Sequence, residues 1–395
     1  LLTPRPFHPT MAHDEIETRA DLPALTGLRF VAAAAVVAFH FVRWRFDPNG
    51  FLRQIMSCGF LAVGLFFVLS GFILVYAHGE IRAHDRSARR AVWRARFARV
   101  YPVYALGMIF GAAVSLSFGW VHAKDFESLG GALKLGAVAF MLTGVSRHTM
   151  FLFNWAAWSL TSELLFYFLF PLVVEKLRSL PTRRLIVFTS LATLFTLDVV
   201  AVYTKLDPDS LGRSLRIGDE QVTLGHYVKF FPLMHVHEFA WGLLSGICWM
   251  RFYPYFKAIS SRVRDLGMLA IVVIATTVAM LGEARIYLYL HSGLLAPLFA
   301  MLVVLLASGP SLLSRALSMR PIVLLGEASY AIYMLHVPLF LLMDRWLEPR
   351  LSANVRSLVC IVALSALSIT VHHAFEKPLR NILAKRKPDL RPAST

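Results

Sequence analysis

The chain has 395 residues, 57% of them hydrophobic and 16% charged, with a mean hydropathy of +0.60. A soluble domain averages about 25% charged residues, so this composition excludes an ordinary soluble globular protein and points to an all-α polytopic membrane protein. A net charge of +16 would suggest nucleic acid on a soluble chain; in a membrane protein an excess of Lys and Arg in cytoplasmic segments accounts for it, and no nucleic-acid partner is expected.

Residues 1–23 are polar, hold Pro and acidic groups and carry no cleavable-signal pattern. They read as a cytoplasmic N-terminal segment, with Met11 nearer the natural start than Leu1. Apolar runs of spanning length follow near 24–44, 55–77, 100–120, 155–175, 185–203, 233–253, 266–282, 287–308, 322–343 and 356–376. That makes about ten transmembrane helices within a membrane domain of residues 24–376. The weak run 132–146 is too short to span comfortably. If it does not cross, the basic segments 79–99, 176–184, 254–265, 309–321 and 377–395 share a side with residues 1–23. Those segments carry 24 Lys and Arg against 13 in the opposite loops. The expected arrangement therefore has both termini cytoplasmic and 132–146 as a short re-entrant or interfacial helix. The basic tail 377–395 is expected to serve topology and lipid contact.

The first span, LPALTGLRFVAAAAVVAFHFVRW, carries two groups foreign to lipid, Arg29 and His40. They lie 11 residues apart, about three helical turns, which puts both on one face and about 16 Å apart along the axis. An ionisable group inside a span costs several kcal/mol to bury and implies a polar interior. In the second span, Gly59, Gly64 and Gly71 are small enough to let helices approach closely, and Ser70 is the polar exception that can line a cavity. The loop 79–99 holds seven arginines, more than topology requires. Arg96 and Arg99, three apart where the third span begins, form a pair suited to bidentate phosphate contacts.

The fourth span opens NWAAWSLTSELLFYFLFP. Its Glu163 must be protonated, paired or facing water. Trp155 and Trp158 stand at aromatic-belt positions, and Trp158 and Tyr167 are candidate substrate contacts. His235, His237 and Glu238 open the sixth span; the i, i+2 spacing does not share a helix face, so no metal site is expected. The ninth span, LLGEASYAIYMLHVPLF, adds Tyr330, Tyr333 and His336 as candidate substrate-binding groups. Counted along the spans, His40, Glu163 and His336 fall at one depth towards the outside, and Arg29, Arg96 and Arg99 fall near the inner face. The pattern suits an anionic ligand held from the cytoplasm and acid/base groups further out. Cys58, Cys248 and Cys360 sit singly in or beside apolar runs, without metal spacing or an implied disulfide.

At these residues the chain resembles the membrane acyltransferase-3 family, the O-acetyltransferases of surface polysaccharides and related glycosides. LPALTGLRF-x9-H gives that family's Arg-x10-His motif as Arg29 and His40. VGLFFVLSGF, RARFARVYP, WSLTSELLFYFLFP, EFAWGLLSG and LGEASYAIYMLHVPL match further family blocks in order. Thr26 and Gly64 stand where many members have Asp, and His235 where Arg usually precedes the Glu-Phe pair.

The resemblance implies a multi-pass enzyme of the inner (plasma) membrane. It would move an acyl group, with acetyl the expected one, from cytoplasmic acyl-coenzyme A to a carbohydrate-type hydroxyl at the outer side. Acyl-coenzyme A would be a co-substrate, with no permanently bound cofactor. Arg96, Arg99 and Ser70 would bind the coenzyme, and His40, Glu163 and Arg29 would serve catalysis. The alternatives are a proton-coupled secondary transporter of an anionic metabolite and a non-catalytic envelope scaffold.

Overall fold

The computed structural model describes residues 22–206, 224–281 and 284–384. The N-terminal segment up to residue 21 and the basic tail beyond residue 384 lie outside the described residues. Among the described residues every regular element is helical. The helices that build or brace the site are labelled in chain order: α1 (Pro23–Val37), α2 (Leu61–His78), α3 (Arg86–Ser117), α4 (Leu129–Ala139), α5 (Trp158–Ser179), α6 (Thr182–Leu206), α7 (Val236–Arg251), α8 (Ser261–Leu281), α9 (Ala296–Ala307), α10 (Arg320–Glu327), α11 (Ser329–Leu347), α12 (Ala353–Val371) and α13 (Lys377–Ala384).

Seven helices among the described residues are long and apolar enough to cross a membrane, and an eighth if the bent pair α10–α11 is one span. All ten apolar runs fold as helix, but two fall short of a continuous span. The run 233–253 yields the 16-residue α7, preceded by a 3-10 turn at Pro232–His235. The run 287–308 breaks between Ala284–His291 and α9, where Gly293 takes φ +83; a side chain is strained in that left-handed backbone and Gly is not. The weak run is the 11-residue α4, at about 1.5 Å per residue far short of a bilayer core.

Helices α2 and α7 pack closely because small residues meet at their crossing. A Cβ on Gly71 would come within 2.5 Å of the Phe239 carbonyl oxygen, and one on Gly242 would strike the Val68 carbonyl. Gly59 packs in the same way against the Ala35 carbonyl of α1, and Gly64 lies on the Glu238 carboxyl group. These glycines therefore set backbone separation, as small residues do in membrane helix pairs. Gly242→Leu is expected to cost at least about 3 kcal/mol, because the obstacle is backbone that cannot repack. Gly136→Leu, with no neighbour within 4 Å of its Cβ, should be near neutral. Thermal melts of the two variants in detergent check the contrast.

Four local devices place the site. Helix α1 does not end at Val37 but passes into a π-turn, Ala38–Val42, that carries His40; π-turns recur at functional sites because they re-aim side chains. Helix α3 starts on Asp85, whose carboxylate accepts from the Ala88 N–H at 2.9 Å, so Arg96 and Arg99 fall well inside the helix on one face. The chain bends by 65° between α10 and α11, which turns Ser329, Tyr330 and Tyr333 towards α1 and α3. Buried Asn154 pins the entry to α5: its amide donates to the Met334 carbonyl at 2.8 Å and its side-chain oxygen accepts from the Ala156 N–H at 3.1 Å.

Candidate active site

A cavity lies among α1, α2, α3, α5 and α11. Arg29 of α1 and Arg96 and Arg99 of α3 line it, with Ser70 of α2. Helix α5 contributes Ser159, Glu163 and Tyr167, and α11 contributes Ser329, Tyr330 and Tyr333. Three guanidinium groups thus face one carboxylate. The Arg96 guanidinium stands 5.7 Å from the centre of the Tyr167 ring. Its buried Nε has no hydrogen-bond partner among the described residues. The tyrosines are fixed at their hydroxyls: Tyr330 donates to the Val100 carbonyl at 2.8 Å and Tyr333 to the Ala156 carbonyl at 3.1 Å. The cavity wall is therefore rigid on the α11 side.

The depth expected for Glu163 needs correction. It lines the cavity with the arginines, and its hydrogen bond comes from the Tyr167 hydroxyl, not from a histidine. Position counted along single spans does not show which groups share a cavity, and the packing of α1, α3 and α5 puts Glu163 in the cavity that Arg29 and Arg96 line.

His40 and His336 form the second part. His40 Nδ1 lies 2.9 Å from His336 Nε2, with the rings 5.1 Å apart and nearly parallel at 17°. His336 is fully buried and its Nδ1 lies 2.6 Å from the Tyr333 carbonyl oxygen. It therefore meets His40 and does not line the cavity, where the sequence led to a substrate contact being expected. Phe41 and Trp155 flank His40, at 6.2 Å and 6.3 Å between ring centres. An ion pair between Arg45 and Asp344 at 2.8 Å, shared with Arg356 at 3.0 Å, ties the end of this segment to α11 and α12. His40 thus meets α11 at His336, and Arg29 lines the cavity that Tyr330 and Tyr333 also line.

Trp158 is also corrected. It is buried away from the cavity, in an aromatic cluster with His235 at 5.2 Å, His291 at 5.7 Å and Phe230 at 4.8 Å. Within that cluster His235 bonds to Glu238 at 2.7 Å and to the Lys229 carbonyl at 2.7 Å. Burial pushes the Lys229 ammonium down to about 8.

Two ionisable groups escaped the sequence reading. Glu376, 1% exposed, sits in a π-turn after α12, with its carboxylate 3.0 Å from His372 Nδ1. It lies within Coulombic reach of Arg29 and Tyr330. The signal was present: a His and a Glu four residues apart at the end of an apolar run are an intramembrane pair.

The protein is a multi-pass helical one with an arginine-lined cavity and, in the turn that follows α1, a histidine pair. The chain belongs to the acyltransferase-3 family, whose model, an acyltransferase domain, matches residues 22–373. Similar proteins include Acyltransferase MdmB of Streptomyces mycarofaciens, 34% identical over 42% of this chain and 42% of its own length. O-acetyltransferase OatA of Staphylococcus aureus is 23% identical over 91% of this chain and 57% of its own length. Peptidoglycan O-acetyltransferase OatA of Listeria monocytogenes is 24% identical over 92% of this chain and 56% of its own length. The chain spans about half the length of these relatives. No solved structure matches it.

Proposed function

We propose that the protein is an integral membrane O-acyltransferase that takes an acyl group, acetyl first of all, from cytoplasmic acyl-coenzyme A. The acceptor is a carbohydrate-type hydroxyl at the outer side of the membrane. The observation that carries this reading is the cavity that gathers Arg29, Arg96 and Arg99 beside the helix bearing His40. Guanidinium groups suit the coenzyme's phosphates because each presents paired N–H donors to phosphate oxygens. His40 then acts as general base on the acceptor hydroxyl, or as a transient acyl carrier.

The family membership and the relatives named O-acetyltransferases favour acyl transfer over transport. We further propose ten crossings, both termini in the cytoplasm and a location in the inner (plasma) membrane. The charge asymmetry of the loops supports that orientation. On this topology α7 and the broken pair before and within α9 cross as short or interrupted helices, a form tolerated where backbone is covered by protein.

The direct test is binding of acetyl-coenzyme A to the full chain in nanodiscs, with slow release of free coenzyme A as the turnover signal. A folded wild type that binds no acetyl-coenzyme A overturns the proposal. Glu163→Gln gives a further prediction. It removes the one carboxylate among the cavity-lining residues, so attraction for the donor should hold or rise. Turnover should fall on the order of tenfold through loss of a charge that balances the arginines. Isothermal titration alongside a free-thiol assay separates the two effects.

A further inference from the structure

The hydrogen bonds around His40 fix which of its nitrogens can act. The Tyr333 carbonyl oxygen can only accept, so His336 carries its proton on Nδ1, 2.6 Å away. His336 is 0% exposed, and among the described residues its ring nitrogens meet His40 and the backbone carbonyls of Tyr333 and Ile332, which can only accept. A ring so buried with no carboxylate partner is neutral, which leaves its Nε2 as a lone pair. That lone pair lies 2.9 Å from His40 Nδ1, so His40 carries its proton on Nδ1. The remaining nitrogen, His40 Nε2, bears a free lone pair and makes no hydrogen bond among the described residues.

We propose that His336 is a positioning residue, aligned by the Tyr333 carbonyl, that holds His40 in the tautomer with Nε2 free to take a proton. The proposal rests on the reading of His40 as the general base. In the transfer step the acceptor oxygen attacks the thioester carbonyl while its proton passes to His40 Nε2. The carbon–sulfur bond then breaks, and the proton returns from Nε2 to the leaving coenzyme A thiolate. Throughout, His40 Nδ1–H stays bonded to His336 Nε2, so the ring neither flips nor changes tautomer when it becomes an imidazolium. The two rings lie edge to edge and within 17° of coplanar, and Phe41, packed edge-on to both at 6.2 Å and 6.1 Å, holds this geometry.

The test compares two amides at position 336. His336→Gln places its side-chain oxygen where Nε2 accepted from His40. His336→Asn places its amide near Nδ1, keeps the contact to Tyr333 and leaves His40 without an acceptor. The assay is hydrolysis of acetyl-coenzyme A by the full chain in nanodiscs, with water as acceptor and free coenzyme A as the readout. His336→Gln should keep kcat within about tenfold of wild type, and His336→Asn should lose on the order of 100-fold, the usual scale for general base catalysis. KM for acetyl-coenzyme A should change less than about twofold in both, since neither group touches the cavity. Equal kcat values for the two variants, or a faster His336→Asn, overturn the positioning role.

Nitrogen-15 NMR of histidine-labelled wild type needs no variant to fold: a proton on His40 Nε2 at neutral pH also overturns it. His40→Ala separates the two levels. If His40→Ala turns over like wild type, the reading of His40 as base fails. If it is inactive while the two amides are equal, only the positioning of His40 by His336 fails.

Discussion

His40→Ala is expected to lower turnover by about 10²–10⁴-fold, the range that a positioned acid/base group supplies. It should leave acetyl-coenzyme A binding within about twofold of wild type. The second half of that expectation comes from the geometry. His40 sits in the π-turn after α1 and bonds to His336, whereas the cavity is lined by Arg29 earlier in the same helix. Loss of the imidazole therefore removes proton transfer without opening the arginine cluster. Stopped-flow release of free coenzyme A, with isothermal titration of acetyl-coenzyme A on the same nanodisc preparation, measures both quantities. Weakened binding together with lost turnover would mean that His40 holds the donor, and the division of labour between the two parts of the site would be wrong.

Arg99→Ala is expected to act in the opposite sense. The cavity presents three guanidinium groups and one carboxylate, so one lost arginine halves its excess positive charge. A charge-assisted hydrogen bond contributes about 1.5–3 kcal/mol, which corresponds to roughly a 10- to 150-fold rise in Kd for acetyl-coenzyme A. Arg99→Lys should recover only part of that loss, because an ammonium cannot make the paired contacts of a guanidinium. Turnover at saturating donor should fall far less than in His40→Ala. Unchanged affinity in Arg99→Ala and in Arg96→Ala would remove the arginine cradle as the phosphate site. Titration at two salt concentrations adds a check, since screening should weaken binding to the wild type more than to the variant.

The chain also shows what kinds of information each level carries. Composition alone requires a polytopic helical protein, because a chain with so few charges must bury its apolar runs in lipid. The same reasoning marks individual residues: Arg29, His40, Arg96, Arg99 and Glu163 stand out because a charge in or beside a span needs a polar interior. Family blocks in the right order point to acyl transfer.

Tertiary packing decided the rest. Periodicity cannot show the π-turn that re-aims His40, nor the 65° bend between α10 and α11 that turns Tyr330 and Tyr333 to the cavity. Depth counted along each span grouped Glu163 with the histidines, but the packing of α1, α3 and α5 around one cavity placed it with the arginines and Tyr167. Trp158 read as a substrate contact and proved to be buried against His235 and His291, since a single span does not reveal which neighbour covers each face. The pairing of His40 with His336 joins residues 296 positions apart. No local signal encodes such a contact; it follows only from which helices pack together, and that packing is what makes one nitrogen of His40 available.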